Sequence, residues 1–128
     1  MANPIKLTER LLQKCDEAQN RFFDAREQNK TYDFFESVKP YADETHEELL
    51  EWRTTIEQFI EQHRPKNLYI QQIEHAIEAM EQFIVQSFYQ QTSKKRFLQS
   101  IQSVKYTLTV VLRKLQEVDE DVLKKTND

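Results

Sequence analysis

The stretch FLQSIQSVKYTLTVVLRKLQEV, residues 97–118, decides the fold. Its apolar residues Phe97, Ile101, Val104, Leu108, Val111, Leu115 and Val118 recur at alternating steps of four and three. In a helix of about 3.6 residues per turn that spacing lays them all on one stripe, whereas a half-buried strand would need an apolar residue at every second position. Three heptads of this rhythm describe a helix that packs on its neighbours at a shallow angle. Ser93 or Thr92 can cap its start. The polar residues Asp119 to Asp128 are expected to fray, so helix 4 is predicted over about 93–118 and a tail over 119–128.

The same rhythm runs upstream. Asn3-Pro4 reads as an N-cap followed by proline at the first helical position, and Leu11, Cys15, Ala18, Phe22 and Ala25 continue the stripe, predicting helix 1 over about 4–28. Thr45 and Glu48 make a capping box ahead of Leu49, Trp52, Ile56, Phe59 and His63, and Pro65 forbids further helix, predicting helix 2 over about 45–63. Ile70, Ile73, Ile77, Met80, Ile84 and Ser87 or Phe88 give helix 3 over about 68–90. The connections at Arg64-Pro65-Lys66 and Gln91-Thr92 are short, which makes helices 2 and 3, and 3 and 4, antiparallel neighbours. The expected fold is all-α: an antiparallel up-down-up-down four-helix bundle, one domain over 1–128. Its first connection, Asn29 to Thr45, is long and carries Tyr32, Phe34, Phe35, Val38 and Tyr41. A short helical turn near Asp33 to Val38, ended by Lys39-Pro40, is expected to fold over the bundle mouth. Leu50, Ile60, Phe83 and Leu98 flank the stripes, either widening the core or forming a dimer face.

Composition removes most catalytic classes. The chain has no glycine, and phosphate-cradling loops, dinucleotide fingerprints, nucleophile elbows and EF-hand loops all use glycine where the backbone turns to positive φ or meets a ligand closely. Eight phenylalanines, five tyrosines and one tryptophan carry more aromatic surface than a disordered chain. Cys15 is the single cysteine, on the stripe of helix 1, and reads as a small core residue. No apolar run long enough for a membrane span or secretory leader is seen, so a cytoplasmic protein without membrane association is expected. A di-metal carboxylate bundle needs paired Glu-x-x-His motifs, and Asp43-x-x-His46 is the nearest approach. With His46, His63 and His75 at separated positions and no catalytic triad spacing, no metal, no cofactor and no enzymatic activity are expected.

Charge is laid out unevenly. Between Gln82 and Gln116 there is no Asp or Glu, but Lys94, Lys95, Arg96, Lys105, Arg113 and Lys114 contribute six positive charges. Between Asp43 and Glu61 seven acids meet one base, Arg53. Helices 2 and 4 lie on a diagonal in this topology, so an acidic and a basic flank are expected, suited to a directed partner. Lys94-Lys95-Arg96 opens helix 4, where the helix dipole disfavours cations. Two arrangements are open. Asp33 and Glu36, at the same end of the bundle, pair with the triplet, or the triplet meets an external anion such as a phosphate or an acidic peptide. The candidate binding surface is therefore Tyr32, Asp33, Phe34, Phe35, Lys39, Lys94, Lys95 and Arg96. A protein partner is expected first, a small anion second, and nucleic acid is disfavoured by the acidic flank.

Tyr32-Asp33-Phe34-Phe35-Glu36-Ser37-Val38-Lys39-Pro40, Arg64-Pro65-Lys66, Lys94-Lys95-Arg96-Phe97 and Ser103-Val104-Lys105-Tyr106-Thr107-Leu108 together resemble the YppE-like family of small bacterial proteins. The similarity spans about Tyr32 to Leu112. The resemblance implies a four-helix bundle of no established biochemical function, with no catalytic or cofactor residues to carry over.

Overall fold

The computed structural model describes residues 3–127, with side chains through Asp119. Helix α1 spans Pro4–Glu27, a single π-helical turn spans Phe34–Val38, and α2 spans Lys39–His63. Helices α3, Ile70–Gln86, and α4, Lys94–Asn127, complete the chain. The Asn3 side chain accepts hydrogen bonds from the Ile5 and Lys6 amides, satisfying two of the amides that the first turn of a helix leaves free. α1 packs on α2 and α4, and α3 packs on the same pair, which sets α2 and α4 on a diagonal. This is the antiparallel four-helix bundle that the apolar spacing predicts.

Every stripe residue of α1 named above is buried, as are Leu49, Trp52, Ile56 and Phe59 of α2 and Phe97 to Leu115 of α4 at the stripe positions. The centre is aromatic. Phe22 and Phe97 stack with ring centroids 3.9 Å apart, and Phe83 meets Phe97 edge-on at 6.2 Å. Trp52 donates its indole N–H to Thr8 Oγ1 at 3.0 Å, so the largest buried side chain leaves no unmet donor. Phe83 is therefore core, Leu50 is exposed, and Ile60 and Leu98 are half-buried at the margin of the stripe.

Six element boundaries differ from the spacing-based expectation, among them two small shifts: α3 starts at Ile70 rather than 68 and α4 at Lys94 rather than 93. α2 begins at Lys39, not 45, because Lys39-Pro40 starts a helix where it was expected to end a turn: proline sits at the first or second helical position. Thr45, expected as a cap, lies inside α2, buried, donating to the Tyr41 carbonyl at 2.9 Å. The cap is instead Asp33, whose carboxylate accepts from the Glu36 amide at 2.9 Å. The turn after it is wound as π. Pro40 offers no N–H to the Glu36 carbonyl and its ring crowds that oxygen, and the wider register moves the carbonyl aside. α3 stops at Gln86 rather than near 90, since the chain tightens so that the Phe88 and Tyr89 amides bond the Val85 and Gln86 carbonyls. α4 continues through Asn127 rather than fraying after 118, with Glu120, Leu123, Lys124 and Lys125 the good helix formers in that stretch; Asp128 of the expected tail lies outside the described residues. α1 ends at Glu27, one residue before the expected bound.

Without glycine, the turns use left-handed asparagines and an arginine. Asn29, Arg64 and Asn67 have φ of 51°, 43° and 63°. Asn29 closes α1 with the Lys30 amide bonding back to the Ala25 carbonyl, the bond pattern usually built around a C-terminal glycine.

Candidate functional site at the loop end of the bundle

α1 and α3 finish, and α2 and α4 begin, at one end of the molecule. Three cations of α1 organise it. Arg26 donates through Nη2 to the Gln90 carbonyl at 2.9 Å and to the Thr92 carbonyl, tying down the α3–α4 connection, and its guanidinium lies 3.7 Å from the Phe22 ring centroid. Gln90 in turn donates to the Lys30 carbonyl at 2.8 Å, joining that connection to the long loop. Arg21 donates through Nε to Ser87 Oγ at 2.9 Å and lies over the rings of Tyr41 and Phe88. Tyr32 meets Phe88 edge-on, which seats the loop.

Lys14 is buried and donates to Thr45 Oγ1 at 3.3 Å, with Glu48 and Glu44 carboxylates at 3.6 and 3.8 Å. Arg10 bonds the same two glutamates at 2.8 and 3.1 Å. Tyr41 donates to Glu17 at 2.9 Å, and burial pushes its hydroxyl up to about 12, with the Glu17 hydrogen bond adding to the rise and Arg21 opposing it. None of Lys14, Arg21 or Arg26 was singled out in the sequence. The available signal was the spacing of Lys14 and Arg21, seven residues apart beside the seam positions Cys15 and Phe22.

These contacts reduce the acidic flank. Of the acids from Asp43 to Glu61, Asp43 pairs with Lys39, Glu44 and Glu48 with α1, and Glu57 with Arg53. Among the described residues Glu47, Glu51 and Glu61 remain without an ion pair. On the basic side Lys105 bonds Asp16 at 2.7 Å and Lys114 lies 3.8 Å from Glu117.

The predicted surface residues divide. Lys39 is taken up by Asp43 at 2.8 Å, and Asp33 by its capping role. Tyr32 is half-buried against Phe88. Phe34 and Phe35 are exposed, at 47% and 75%, and contact each other edge-on. Lys94, Lys95 and Arg96 are exposed, and among the described residues none has a carboxylate partner. Internal pairing by Asp33 and Glu36, one of the two arrangements left open above, is therefore not what the fold adopts. Lys94 Nζ lies 5.4 Å from the Phe23 ring centroid. Ser93 caps the helix, its hydroxyl accepting from the Arg96 amide at 3.4 Å.

Two hollows flank the α3–α4 connection. One, of about 630 Å³, is lined by residues including Gln82, Gln86, Ser93, Arg96 and Gln99. The other, of about 510 Å³, lies beside Lys30, Tyr32, Phe88 and Tyr89, and the two share Gln91. His46 pairs with Glu81, His63 lies tilted against Phe59, and His75 lines a smaller hollow that adjoins the first at Ala79 and Ser103. Among the described residues no three His, Cys, Asp or Glu side chains converge as a metal site, and no helix is long and apolar enough to cross a membrane. The thiol of Cys15 is fully buried and pushed up to about 12 by that burial, which leaves no nucleophile there at neutral pH.

A small antiparallel four-helix bundle with one irregular, aromatic and cation-bearing end is the class this geometry defines. The family model described as a bacterial domain of unknown function, DUF1798, matches residues 8–115. The uncharacterised protein YppE of Bacillus subtilis (strain 168) is 30% identical over 115 residues, covering 90% of this chain and 94% of that one. The crystal structure of YppE superposes with a TM-score of 0.88 at 29% identity, over 91% of this chain and 95% of that one. A crystal structure of a protein of unknown function from Listeria innocua superposes at 0.86 and 28% identity, over 91% and 94% of the two chains. The chain belongs to the DUF1798 family, and its bundle is the one these relatives adopt.

Proposed function

We propose that the protein is a non-enzymatic interaction module, and that its contact surface is the end of the bundle where α4 begins. The observation that carries this reading is the triplet Lys94-Lys95-Arg96. Three exposed cations stand in the first turn of a helix, without a carboxylate partner among the described residues, where each costs about 0.3–1 kcal/mol against the helix dipole. A partner's acidic group would offset that cost on binding, and its long-range attraction would speed encounter. Phe34 and Phe35 at the same end add exposed apolar surface, the usual companion of charge at a protein contact.

The reading is tested by affinity capture with the wild-type chain and the Lys94→Glu/Lys95→Glu/Arg96→Glu variant, analysed by mass spectrometry. Partners retained by the wild type and lost by a folded variant are expected. Identical partner sets for the two would remove this surface from consideration.

A further inference from the structure

We propose that the channel between α3 and α4 docks an extended, acid-ended peptide segment of the partner protein. The proposal deepens the interaction reading and rests on it. The hollow of about 630 Å³ beside Arg96 and a smaller one of about 160 Å³ both include Ala79 and Ser103 in their walls, so they adjoin end to end and make up the channel between the two helices. It runs from Thr92 and Ser93 to Thr107 on α4. At about 1.5 Å per helical residue that is about 21 Å, the length of about six residues of extended chain.

The lining suits a peptide main chain. Gln82, Gln86, Gln91 and Gln99 present carboxamides, each with a donor and an acceptor on one plane, the same pair of functions a peptide unit carries. None of these four side chains takes part in a hydrogen bond among the described residues, and neither do the hydroxyls of Ser100 and Ser103. Ala79 adds no bulk at the point where the two hollows join, leaving room for a backbone to approach.

Charge fixes the chemistry of the occupant. No carboxylate lines either hollow, and none occurs in the sequence from Gln82 to Gln116. Arg96 stands at one end, on the first turn of α4 with Lys94 and Lys95 beside it in sequence. The complementary ligand carries negative charge at one terminus and neutral main chain along its length, as a peptide ending in Asp, Glu or a free carboxylate does. A nucleic-acid strand, charged at every step, would call for cations along the whole channel, where this one is lined by amides, hydroxyls and small apolar side chains, with His75 in the part away from Arg96.

The test uses a library of random hexapeptides carrying one fixed glutamate at either end, screened against the full chain, with retained peptides titrated into ¹⁵N-labelled protein. The side-chain amide resonances of Gln82, Gln86 and Gln99 are expected to shift. The Gln82→Ala/Gln99→Ala variant, at exposed helical positions that alanine tolerates, is expected to bind about tenfold more weakly with an unchanged circular dichroism spectrum. Failure to retain any hexapeptide, equal binding by the double variant, or an oligonucleotide shifting these amides where peptides do not would each overturn the proposal. A partner lost by the Lys94→Glu/Lys95→Glu/Arg96→Glu variant but kept by Gln82→Ala/Gln99→Ala would overturn the channel while leaving the interaction surface standing.

Discussion

Cys15 in the core and Tyr41 at its margin report burial through their protons. Cys15 is fully buried and Tyr41 half-buried, and burial is the largest cause of the upward displacement of both, each to about 12 from 9.0 and 10.0. Because the folded values lie above the unfolded ones, the folded state holds these protons more tightly. The stability this contributes is fully present below pH 9.0 for Cys15 and below pH 10.0 for Tyr41, and is lost as the pH rises toward about 12. Denaturant unfolding as a function of pH is expected to show a decline beginning near pH 9, whose early part Cys15→Ala abolishes and whose later part Tyr41→Phe reduces. The same burial predicts that Cys15 in the native protein resists a thiol reagent at pH 8 and reacts on unfolding. At this scale the sequence was legible for the apolar positions, since Cys15 and Trp52 fall on the stripe that places them inside. It was not legible for Lys14, Arg21 and Arg26. Each looks like an ordinary surface cation until the fold sets a hydroxyl, a carboxylate or a carbonyl opposite it.

Helix existence followed from periodicity, and helix boundaries followed from something else. The Thr45 and Glu48 pattern reads as a cap in isolation, but a cap forms only where the chain is already irregular, and Asp33 twelve residues earlier offers its carboxylate first. Proline at position 40 has two readings, terminator or first-turn residue, and only the preceding residues decide between them. The π turn they form sets Phe34 and Phe35 outward, which is why a run that looked apolar enough to be covered leaves two rings exposed. Arg64 at the end of α2 carries a different lesson. It occupies the left-handed region with φ of 43°, where a side chain crowds the following carbonyl and glycine does not. Arg64→Gly is expected to raise stability by about 0.5–1 kcal/mol, read as an increase in melting temperature, because relief of that crowding exceeds the added freedom of the unfolded chain. A loss of stability would mean that the Arg64 side chain holds contacts that the backbone gain does not replace.

Across the whole molecule the bundle distributes its ion pairs asymmetrically. α1 neutralises much of the acidic start of α2 through Arg10 and Lys14, and it reaches across to the α3–α4 connection through Arg21 and Arg26. Among the described residues no carboxylate meets the start of α4. The expected division into an acidic and a basic flank thus thins: among the described residues Glu47, Glu51 and Glu61 on α2, and Arg113 and the Lys94-Lys95-Arg96 corner beside the amide-lined channel on α4, are left without an ion pair. The topology and the charge run at Lys94-Lys95-Arg96 were readable in the chain. Whether that run was paired depended on where the turn sets Asp33 and Glu36, and among the described residues neither carboxylate lies within ion-pair distance of a cation.

The claim that the triplet is held unpaired for a partner can be tested without knowing the partner, by measuring the thermal stability of Lys94→Gln/Lys95→Gln/Arg96→Gln at low ionic strength. If the three cations only oppose the helix dipole in the isolated protein, neutralising them leaves the melting temperature unchanged or raises it, by up to about 1 kcal/mol of stability per residue. If they are held by internal carboxylates, the variant melts lower and the difference shrinks with added salt, a result that would contradict the account.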